Sequence, residues 1–299
     1  MISADRYAAA IHLAEPFVPP RPTIGIGAPA ARRVALEWLL AERGTAIRAV
    51  ADDAECDVLI RNLLTVRRPG GIPPHVQACL DETLADRTQA RGTVTPGDAA
   101  AAPGSCATIL GTILKVWRGD ITRLSVDAIV NAANAELLGC FRPGHACIDN
   151  VIHWAAGPRL REDCARIMEI QGHAERTGDA KITRAYHLPS RFVLHTVGPI
   201  VDGGRVRPEH QRALVSSYRS CLDLARSVPS IRTVAFCAIS TGVYGYPKDA
   251  AARLAVRSVE SWLREHPGAL DLAIFTVFTD ADAREHEAAM RTRGEEPSS

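Results

Sequence analysis

One loop of the chain holds the side chains with the most distinctive chemistry, in the pattern Cys-x4-His-x-Cys. Cys140, His145 and Cys147 offer two thiolates and an imidazole, a donor set that suits zinc. A proline and a glycine between the first two ligands allow the tight turn that brings all three around one ion. Three protein ligands leave a fourth position open, as in catalytic zinc sites. The loop therefore predicts a zinc centre; packed thiols beneath a loop, or a redox pair, are the alternatives.

Two polar residues flank this loop and suit work at a hydroxyl group. Asn134 carries a carboxamide that can both donate to and accept from hydroxyls. Asp149 follows the last cysteine and can orient or deprotonate a water or a hydroxyl. We interpret both as catalytic. The alternatives are a turn asparagine and an acid in the first turn of a helix.

A second loop has the composition of an anion-binding turn. It consists of Ser240, Thr241, Gly242, Val243, Tyr244 and Gly245. Its two glycines let backbone N–H groups approach an anion closely. Pro247 suits the first turn of a following helix, whose N-terminal N–H groups favour a pyrophosphate. We predict a phosphate-binding loop, and an ordinary strand-to-helix turn is the alternative.

These loops need a scaffold that brings them together. After Cys106, apolar strand-like runs alternate with amphipathic helices, which predicts an α/β sheet layered by helices. Strands are expected at 107–120, 127–134, 192–199, 233–240 and 272–280, and helices at 147–157, 158–170, 214–228 and 248–267. Each polar motif follows an apolar run. It therefore lies at the carboxyl end of a strand, where ligands bind in open α/β sheets.

The first hundred residues have a different character. Residues 1–33 are rich in proline and alanine and are expected to be irregular or loosely helical. Residues 34–90 show helical periodicity, and 93–105 have the composition of a linker. We divide the chain into a helical extension at 1–100 and an α/β domain at 101–299.

Composition restricts the class of protein. The chain has 299 residues, 46% of them apolar, and a formal net charge of +1, so no strong field attracts nucleic acid or a membrane. No apolar run approaches the length of a bilayer span. The first residues lack a basic region followed by an apolar one, so a secretory signal is not expected. Eight cysteines spread over this length are too sparse for a disulfide scaffold, which favours a cytoplasmic protein with reduced thiols.

Four motifs together resemble the macrodomain family. They are GDIT at 119–122, DAIVNAAN at 127–134, HTVGP at 195–199 and STGVYGYP at 240–247, in the order that the family has them. Common macrodomains carry a run of glycines where this chain has its Cys-x4-His-x-Cys loop. That loop resembles the zinc-dependent macrodomains, some of which are linked to sirtuins. Residues 34–90 resemble, more loosely, the helical extension of the same group.

The resemblance implies a three-layer α/β/α fold with a mixed sheet, and a pose for ADP-ribose. Asp120, next to Ile121, would accept from the adenine amine, and Phe278 would stack on the base. The loop at 240–245 would hold the diphosphate, and the Tyr244 ring would lie against the distal ribose. The alternatives are a cap role for Asp120 and a buried strand position for Phe278. His195 belongs to a family motif, and we expect it to be structural.

By resemblance, the function is hydrolysis of mono-ADP-ribose from modified proteins, at an ester to aspartate, with Zn²⁺ at the distal ribose. The implied partners are ADP-ribose, a mono-ADP-ribosylated protein and a sirtuin-type ADP-ribosyltransferase. A non-catalytic ADP-ribose reader is the first alternative. A nucleic-acid-binding macrodomain is disfavoured by the balanced charge and few aromatic residues, and a zinc deaminase by the absence of its signature.

Overall fold

The computed structural model describes residues 2–19, 27–45 and 50–293. At its centre is a seven-stranded sheet of order β1-β2-β7-β6-β3-β5-β4. The strands are β1 Cys106–Ile109, β2 Thr112–Arg118, β3 Ala128–Ala133, β4 Ala180–Arg184, β5 Phe192–Val197, β6 Thr233–Phe236 and β7 Leu272–Val277. The two edge strands pair antiparallel with their neighbours and the interior pairs are parallel. The predicted mixed sheet is confirmed.

Helices cover both faces of this sheet, which confirms the three-layer α/β/α fold. The helices are α1 Ala28–Glu42, α2 Asp53–Val66, α3 Pro74–Arg91, α4 Pro96–Ala101, α5 Ile148–Ala156, α6 Pro158–Gln171, α7 Pro208–Arg226, α8 Lys248–Glu265 and α9 Asp280–Arg291. α7, α8 and α9 pack side by side on one face, while α5 and α6 pack against the β3 and β4 side of the other. β5 and β7 are buried along their whole length, which explains their continuous apolar sequences. None of the helices in the described ranges is long and apolar enough to cross a bilayer.

The helical extension has its own apolar core and shares it with the α/β domain. α1, α2 and α3 bury Leu39, Ile60 and Leu80 together, and Trp154 of α5 joins the same cluster. Gly157, after α5, packs so closely on α3 that a Cβ there would lie 2.5 Å from the Leu84 side chain. The extension therefore stacks directly on the helix that follows the Cys-x4-His-x-Cys loop.

The start of the chain packs against the far edge of the sheet. Tyr7 and Ile11 are buried in the main core. The Tyr7 hydroxyl oxygen accepts a hydrogen bond from the Ile182 amide of edge strand β4 at 3.0 Å. This contact covers part of an otherwise open strand edge. The rest of the predicted irregular stretch includes residues 20–26, which lie outside the described residues.

Several predicted elements differ in the structure. The predicted linker at 93–105 is wrong, because Thr95 and Asp98 form a capping box that begins α4 and buries Ala99. The single strand expected at 107–120 is a hairpin, β1 and β2, that turns at Leu110 and Gly111 with positive φ at both. Strand β4 and helix α9 were not predicted.

A fragment of residues 101–299 is expected to unfold about 10 °C or more below the full chain. Removing the extension uncovers a face that the fold keeps covered, and each fully buried leucine-sized side chain contributes about 1.5–3 kcal/mol. A change of about 1 kcal/mol shifts the unfolding temperature of a domain of this size by about 2–4 °C. Scanning calorimetry of the two proteins measures the difference. Equal unfolding temperatures would overturn the view that the extension supports the domain.

Candidate active site

Five loops meet at the carboxyl-terminal edge of the parallel strands. The register places Arg118 of β2 opposite Val277 of β7, so the residues that follow, Asp120 and Phe278, lie at the same part of this edge. β3 and β5 likewise end side by side, with Ala133 opposite Val197. β6, between β7 and β3, leads to the loop at 240–245. The sheet thus brings the predicted site loops to one cleft.

The loop at 240–245 presents unpartnered donors. Within the described residues, the backbone amides of Thr241, Gly242, Val243 and Tyr244 donate no hydrogen bond, and the buried Ser240 hydroxyl has no partner. α8 begins directly afterwards at Lys248, so its positive N-terminal end lies beside them. Free amides at a helix N-terminus form an anion-binding site.

The same loop has a strained backbone that its neighbour holds in place. Ser240 and Gly245 have φ of 66° and 67°, in the left-handed region. A Cβ at Gly245 would lie 2.7 Å from the Val201 carbonyl oxygen, so only glycine fits there. The Val201 amide donates to the Tyr244 carbonyl at 2.7 Å. Gly245, rather than Gly242, is the glycine that the conformation requires, since a Cβ at Gly242 meets open space.

One end of the cleft is formed by Asp120 and Phe278. The Asp120 carboxylate caps the short 3-10 helix Ile121–Arg123, accepting from the Thr122 amide at 2.9 Å and the Thr122 hydroxyl at 2.6 Å. Its second oxygen is paired with Arg91 of α3. The Ile121 side chain is buried, so only its backbone can face a ligand. Phe278 is 76% exposed because β7 ends one residue earlier, and the buried-strand alternative for it is wrong.

At the other end, Cys140, His145 and Cys147 come together. Their candidate ligand atoms all lie within 4.8 Å of one another, and Cys140 Sγ is 3.3 Å from His145 Nδ1. The Asn150 side-chain amide donates to the carbonyl oxygens of Arg142 and His145, at 3.1 and 3.2 Å, which fixes the turn between them.

The donor set fits a zinc ion. Cys147 is the N-cap of α5, and its Sγ accepts from the Asn150 amide at 3.4 Å. Burial, more than the nearby negative charges, raises the pKa of the Cys147 thiol to about 11. Burial and the nearby negative charges both disfavour an unliganded thiolate at Cys147, whereas a bound cation would favour the thiolate. The half-buried positions of all three residues leave the loop open to solvent on one side.

A buried polar network lies beneath this loop. Asn131 donates from Nδ2 to Asp149 Oδ1 at 2.8 Å, and His153 Nε2 is 3.4 Å from the same oxygen. Asp149 is only 4% exposed, and burial raises its pKa to about 6. Burial also lowers the pKa of His195 to about 3, which leaves that imidazole neutral.

Two of the polar residues have structural contacts. His195 Nε2 is hydrogen-bonded to the Thr183 hydroxyl at 3.0 Å, and its Nδ1 lies 3.2 Å from the side-chain nitrogen of Asn131. His195 is therefore a structural residue of the core. Asn134 donates from Nδ2 to the Gly139 carbonyl at 2.9 Å and accepts from the Glu136 amide at 2.9 Å. Both ends of its carboxamide therefore close the turn that leads into the cysteine loop. Its catalytic role stays a prediction.

Sequence reasoning missed three groups that contact the site. Asn131 belongs to the DAIVNAAN motif, in which only Asn134 was assigned a role, yet it donates a hydrogen bond to Asp149. Arg68 and Arg161 both lie over the Phe141 ring, at 4.1 and 4.9 Å from its centroid. Arg161 also donates to the carbonyls that end α2, including that of Leu64 at 2.6 Å. These arginines link the cysteine loop to the extension, and no local sequence motif predicts such contacts.

Comparison with known proteins agrees with this geometry. Residues 130–255 match the Macro domain. A protein-ADP-ribose hydrolase of Treponema medium is 42% identical over 254 residues, covering 84% of this chain and 95% of the relative. The chain belongs to the macrodomain family. The match with the Treponema protein is longer than the α/β domain, so this macrodomain shares part of its helical extension with that relative.

Two further comparisons each cover a little less than two thirds of this chain. A protein-ADP-ribose hydrolase of Staphylococcus aureus (strain MSSA476) is 49% identical over 187 residues, or 62% of this chain and 70% of the relative. A mutant macrodomain of Oceanobacillus iheyensis, solved with ADPR, has a TM-score of 0.58 and 34% identity over 64% of this chain and 99% of its own. The macrodomain fold is therefore supported by sequence and by structure.

Proposed function

We propose that this macrodomain is a zinc-dependent hydrolase that releases mono-ADP-ribose from modified proteins by cleaving its ester to aspartate. One observation carries the proposal. A loop of free backbone amides and a Cys-His-Cys cluster both follow strands at the same edge of the sheet. Asp149 lies near both, because after burial its negative charge raises the pKa of Tyr244 in the first and of Cys147 in the second. The names of the relatives from Treponema and Staphylococcus support hydrolysis. The zinc and the aspartate ester rest on the chemistry of this chain's own loop and on its resemblance to the zinc-dependent group.

The binding half of the site recognises the part of the ligand that does not react. Asp120 accepts from the adenine amine, and the exposed Phe278 ring covers the base. The free amides of 241–244 and the N-terminus of α8 hold the diphosphate. These groups include none of the candidate metal ligands. ADP-ribose affinity should therefore depend little on the metal.

The distal half of the site contains the groups that act on the bond to be cleaved. Cys140, His145 and Cys147 would hold zinc, which when bound supplies a Lewis acid beside the distal ribose. Asp149 takes a proton from a water or a ribose hydroxyl, and Asn131 fixes the carboxylate in place for that transfer. Burial, and then the negative charge of Asp149, raise the pKa of Tyr244. Tyr244 therefore lies within electrostatic reach of Asp149. The phosphate loop thus adjoins the reacting end.

An ester to a carboxylate suits this arrangement. The leaving aspartate is a stable anion with an ordinary pKa near 3.9, so it needs no strong general acid. A sirtuin-type ADP-ribosyltransferase is the proposed source of the modification.

A reader that binds ADP-ribose without cleaving it is the second candidate function. Two observations favour it: Asp149 is almost fully buried, and the Asn134 carboxamide is occupied by its own turn. The test is release of free ADP-ribose from a protein that carries carboxyl-linked mono-ADP-ribose. A hydrolase releases many molecules per macrodomain, whereas a reader retains at most one.

Asp120→Ala is expected to lower ADP-ribose affinity by about tenfold or more. A hydrogen bond to a charged group contributes about 1.5–3 kcal/mol, and the variant removes it at the adenine. Titration calorimetry with free ADP-ribose measures the change. Unchanged affinity would contradict the assigned orientation of the ligand.

About one zinc per chain is expected in protein purified without added metal. Cys147→Ala should abolish retention, because it removes one of three ligands in the site. The exposed Cys106, on strand β1, gives a matched control in Cys106→Ala. Elemental analysis of the three proteins is the measurement. Full zinc content in Cys147→Ala would remove this ligand assignment.

A further inference from the structure

The end of helix α3 is fixed against the turn that carries Asp120. Just after the helix, the Val94 amide donates to the Arg123 carbonyl at 2.8 Å, and the Ser125 amide donates to the Val94 carbonyl at 2.9 Å. This forms a parallel bridge between the extension and the segment that follows β2. The last residue of α3, Arg91, therefore has a defined position at the adenine end of the cleft.

Arg91 holds one oxygen of Asp120. Its Nη2 donates to Asp120 Oδ2 and also to the Thr122 hydroxyl at 3.1 Å. The other carboxylate oxygen accepts from the Thr122 amide and hydroxyl. The carboxylate is thus bound from two directions, yet its side chain remains 29% exposed toward solvent. It is oriented and still accessible to a base.

Arg87 lies one helical turn before Arg91, so the two positive side chains are neighbours on α3. Its guanidinium is stacked over the Trp154 ring at 4.7 Å from the centroid. Burial, and then the positive charge of Arg91, lower the pKa of Arg87 to about 10. Like charges four residues apart destabilise a helix. Asp57 and Asp120 offset this repulsion, so the pairing of Arg91 with Asp120 is built into the packing.

We propose that Arg91, supplied by the helical extension, is a positioning residue that sets the nucleobase specificity of the cleft. The inference rests on the proposed function, in which Asp120 faces the base. A carboxylate fixed in one orientation accepts from the 6-amino group of adenine. It repels the 6-oxo group of hypoxanthine, which is an acceptor. Without Asp120, the Arg91 guanidinium faces the base instead and donates to a 6-oxo group.

The test compares ADP-ribose with its hypoxanthine analogue, by titration calorimetry. The proteins are the full-length wild type, Arg91→Ala, Arg91→Lys and Arg33→Ala, the last an exposed arginine of α1 with the same change in charge. The wild type is expected to prefer ADP-ribose by about tenfold or more. Arg91→Ala should lose most of that preference, Arg91→Lys should keep part of it, and Arg33→Ala should keep all of it.

A second readout separates positioning from a general structural effect. In Arg91→Ala, KM for an ADP-ribosylated substrate should rise by about tenfold while kcat at saturation stays within a factor of about two, because adenine binding is remote from the reacting bond. Asp120→Ala should reverse the preference in favour of the hypoxanthine analogue, since Arg91 then faces the base. This variant also tests the inference if Arg91→Ala does not fold.

Each failure has its own signature. A wild type that binds ADP-ribose, together with an Arg91→Ala variant that keeps the full adenine preference, overturns the role of Arg91 alone. An Asp120→Ala variant that loses the adenine preference without coming to favour the hypoxanthine analogue also overturns the role of Arg91, whereas one with no shift at all contradicts the placement of Asp120 at the base. A wild type that binds neither ligand overturns the proposed function and this inference with it.

Discussion

Metal-free protein is expected to lose turnover of a carboxyl-linked substrate by about a thousandfold, while its affinity for free ADP-ribose changes by less than about threefold. The reason is the separation seen in the cleft. Adenine and diphosphate contacts rest on Asp120, Phe278 and the loop at 240–245, whereas the candidate metal ligands lie at the other end. Interactions made only in the transition state change the rate, and uniform binding does not. His145→Ala should reproduce the effect of chelation.

The experiment needs a control for collapse of the cysteine loop, since a bound metal would also order the turn held by Asn150. Circular dichroism and calorimetry with ADP-ribose on the same samples detect it. His75→Ala, at an exposed position of α3, is the matched histidine control and should retain full activity. Native turnover by protein that elemental analysis shows to be metal-free would make the cysteine loop structural.

Asp149→Asn is expected to lower turnover by about a hundredfold or more, in line with the usual contribution of a general base. The substituted side chain keeps an oxygen that can accept from Asn131, which donates to Asp149 at 2.8 Å, so the buried network can persist. What is lost is the ability to take a proton. Single-turnover release of ADP-ribose from the modified protein, with enzyme in excess, measures the rate of the chemical step.

The exposed Asp5→Asn is the control for the Asp149 substitution and should be neutral. ADP-ribose affinity and the unfolding temperature of Asp149→Asn show whether the fold and the binding half survive. A variant that binds normally and cleaves at more than about a tenth of the wild-type rate would deny Asp149 a catalytic role. The buried network with Asn131 would then be its only function.

The parts of the site that sequence could predict are local. Cys140, His145 and Cys147 lie in one short loop, so the turn between them decides whether their atoms meet, and the structure brings them within 4.8 Å. The loop at 240–245 is also one segment between an apolar run and a helix start. The long helices and the parallel strands could be predicted for the same reason, because their hydrophobic periodicity is visible in a short window of sequence.

What sequence could not predict depends on contacts between distant segments. Arg91 meets Asp120, and Asn131 meets Asp149, only because helices and strands from different parts of the chain are adjacent. No residue type or spacing marks either pair. The exposure of Phe278 depends on where β7 ends, which a continuous apolar run does not reveal.

Short elements were hidden by their composition. The capping box of Thr95 and Asp98 lies in a stretch of alanine, proline and glycine, which is more typical of a linker. Edge strand β4 contains Lys181, which is buried in an ion pair with Glu175. A buried lysine breaks the apolar pattern by which strands are recognised. A local capping box in the first case, and a buried ion pair in the second, override what the composition indicates.

The proposed hydrolysis is tested most directly by a turnover assay with zinc-loaded protein on four substrates, in which mono-ADP-ribose is linked to aspartate, glutamate, serine or arginine. We expect many turnovers on the aspartate ester and none on the serine or arginine linkage, since only a carboxylate leaves without a strong general acid. Protein that binds ADP-ribose but releases it from none of the four substrates would contradict the hydrolase function and favour that of a non-catalytic ADP-ribose reader.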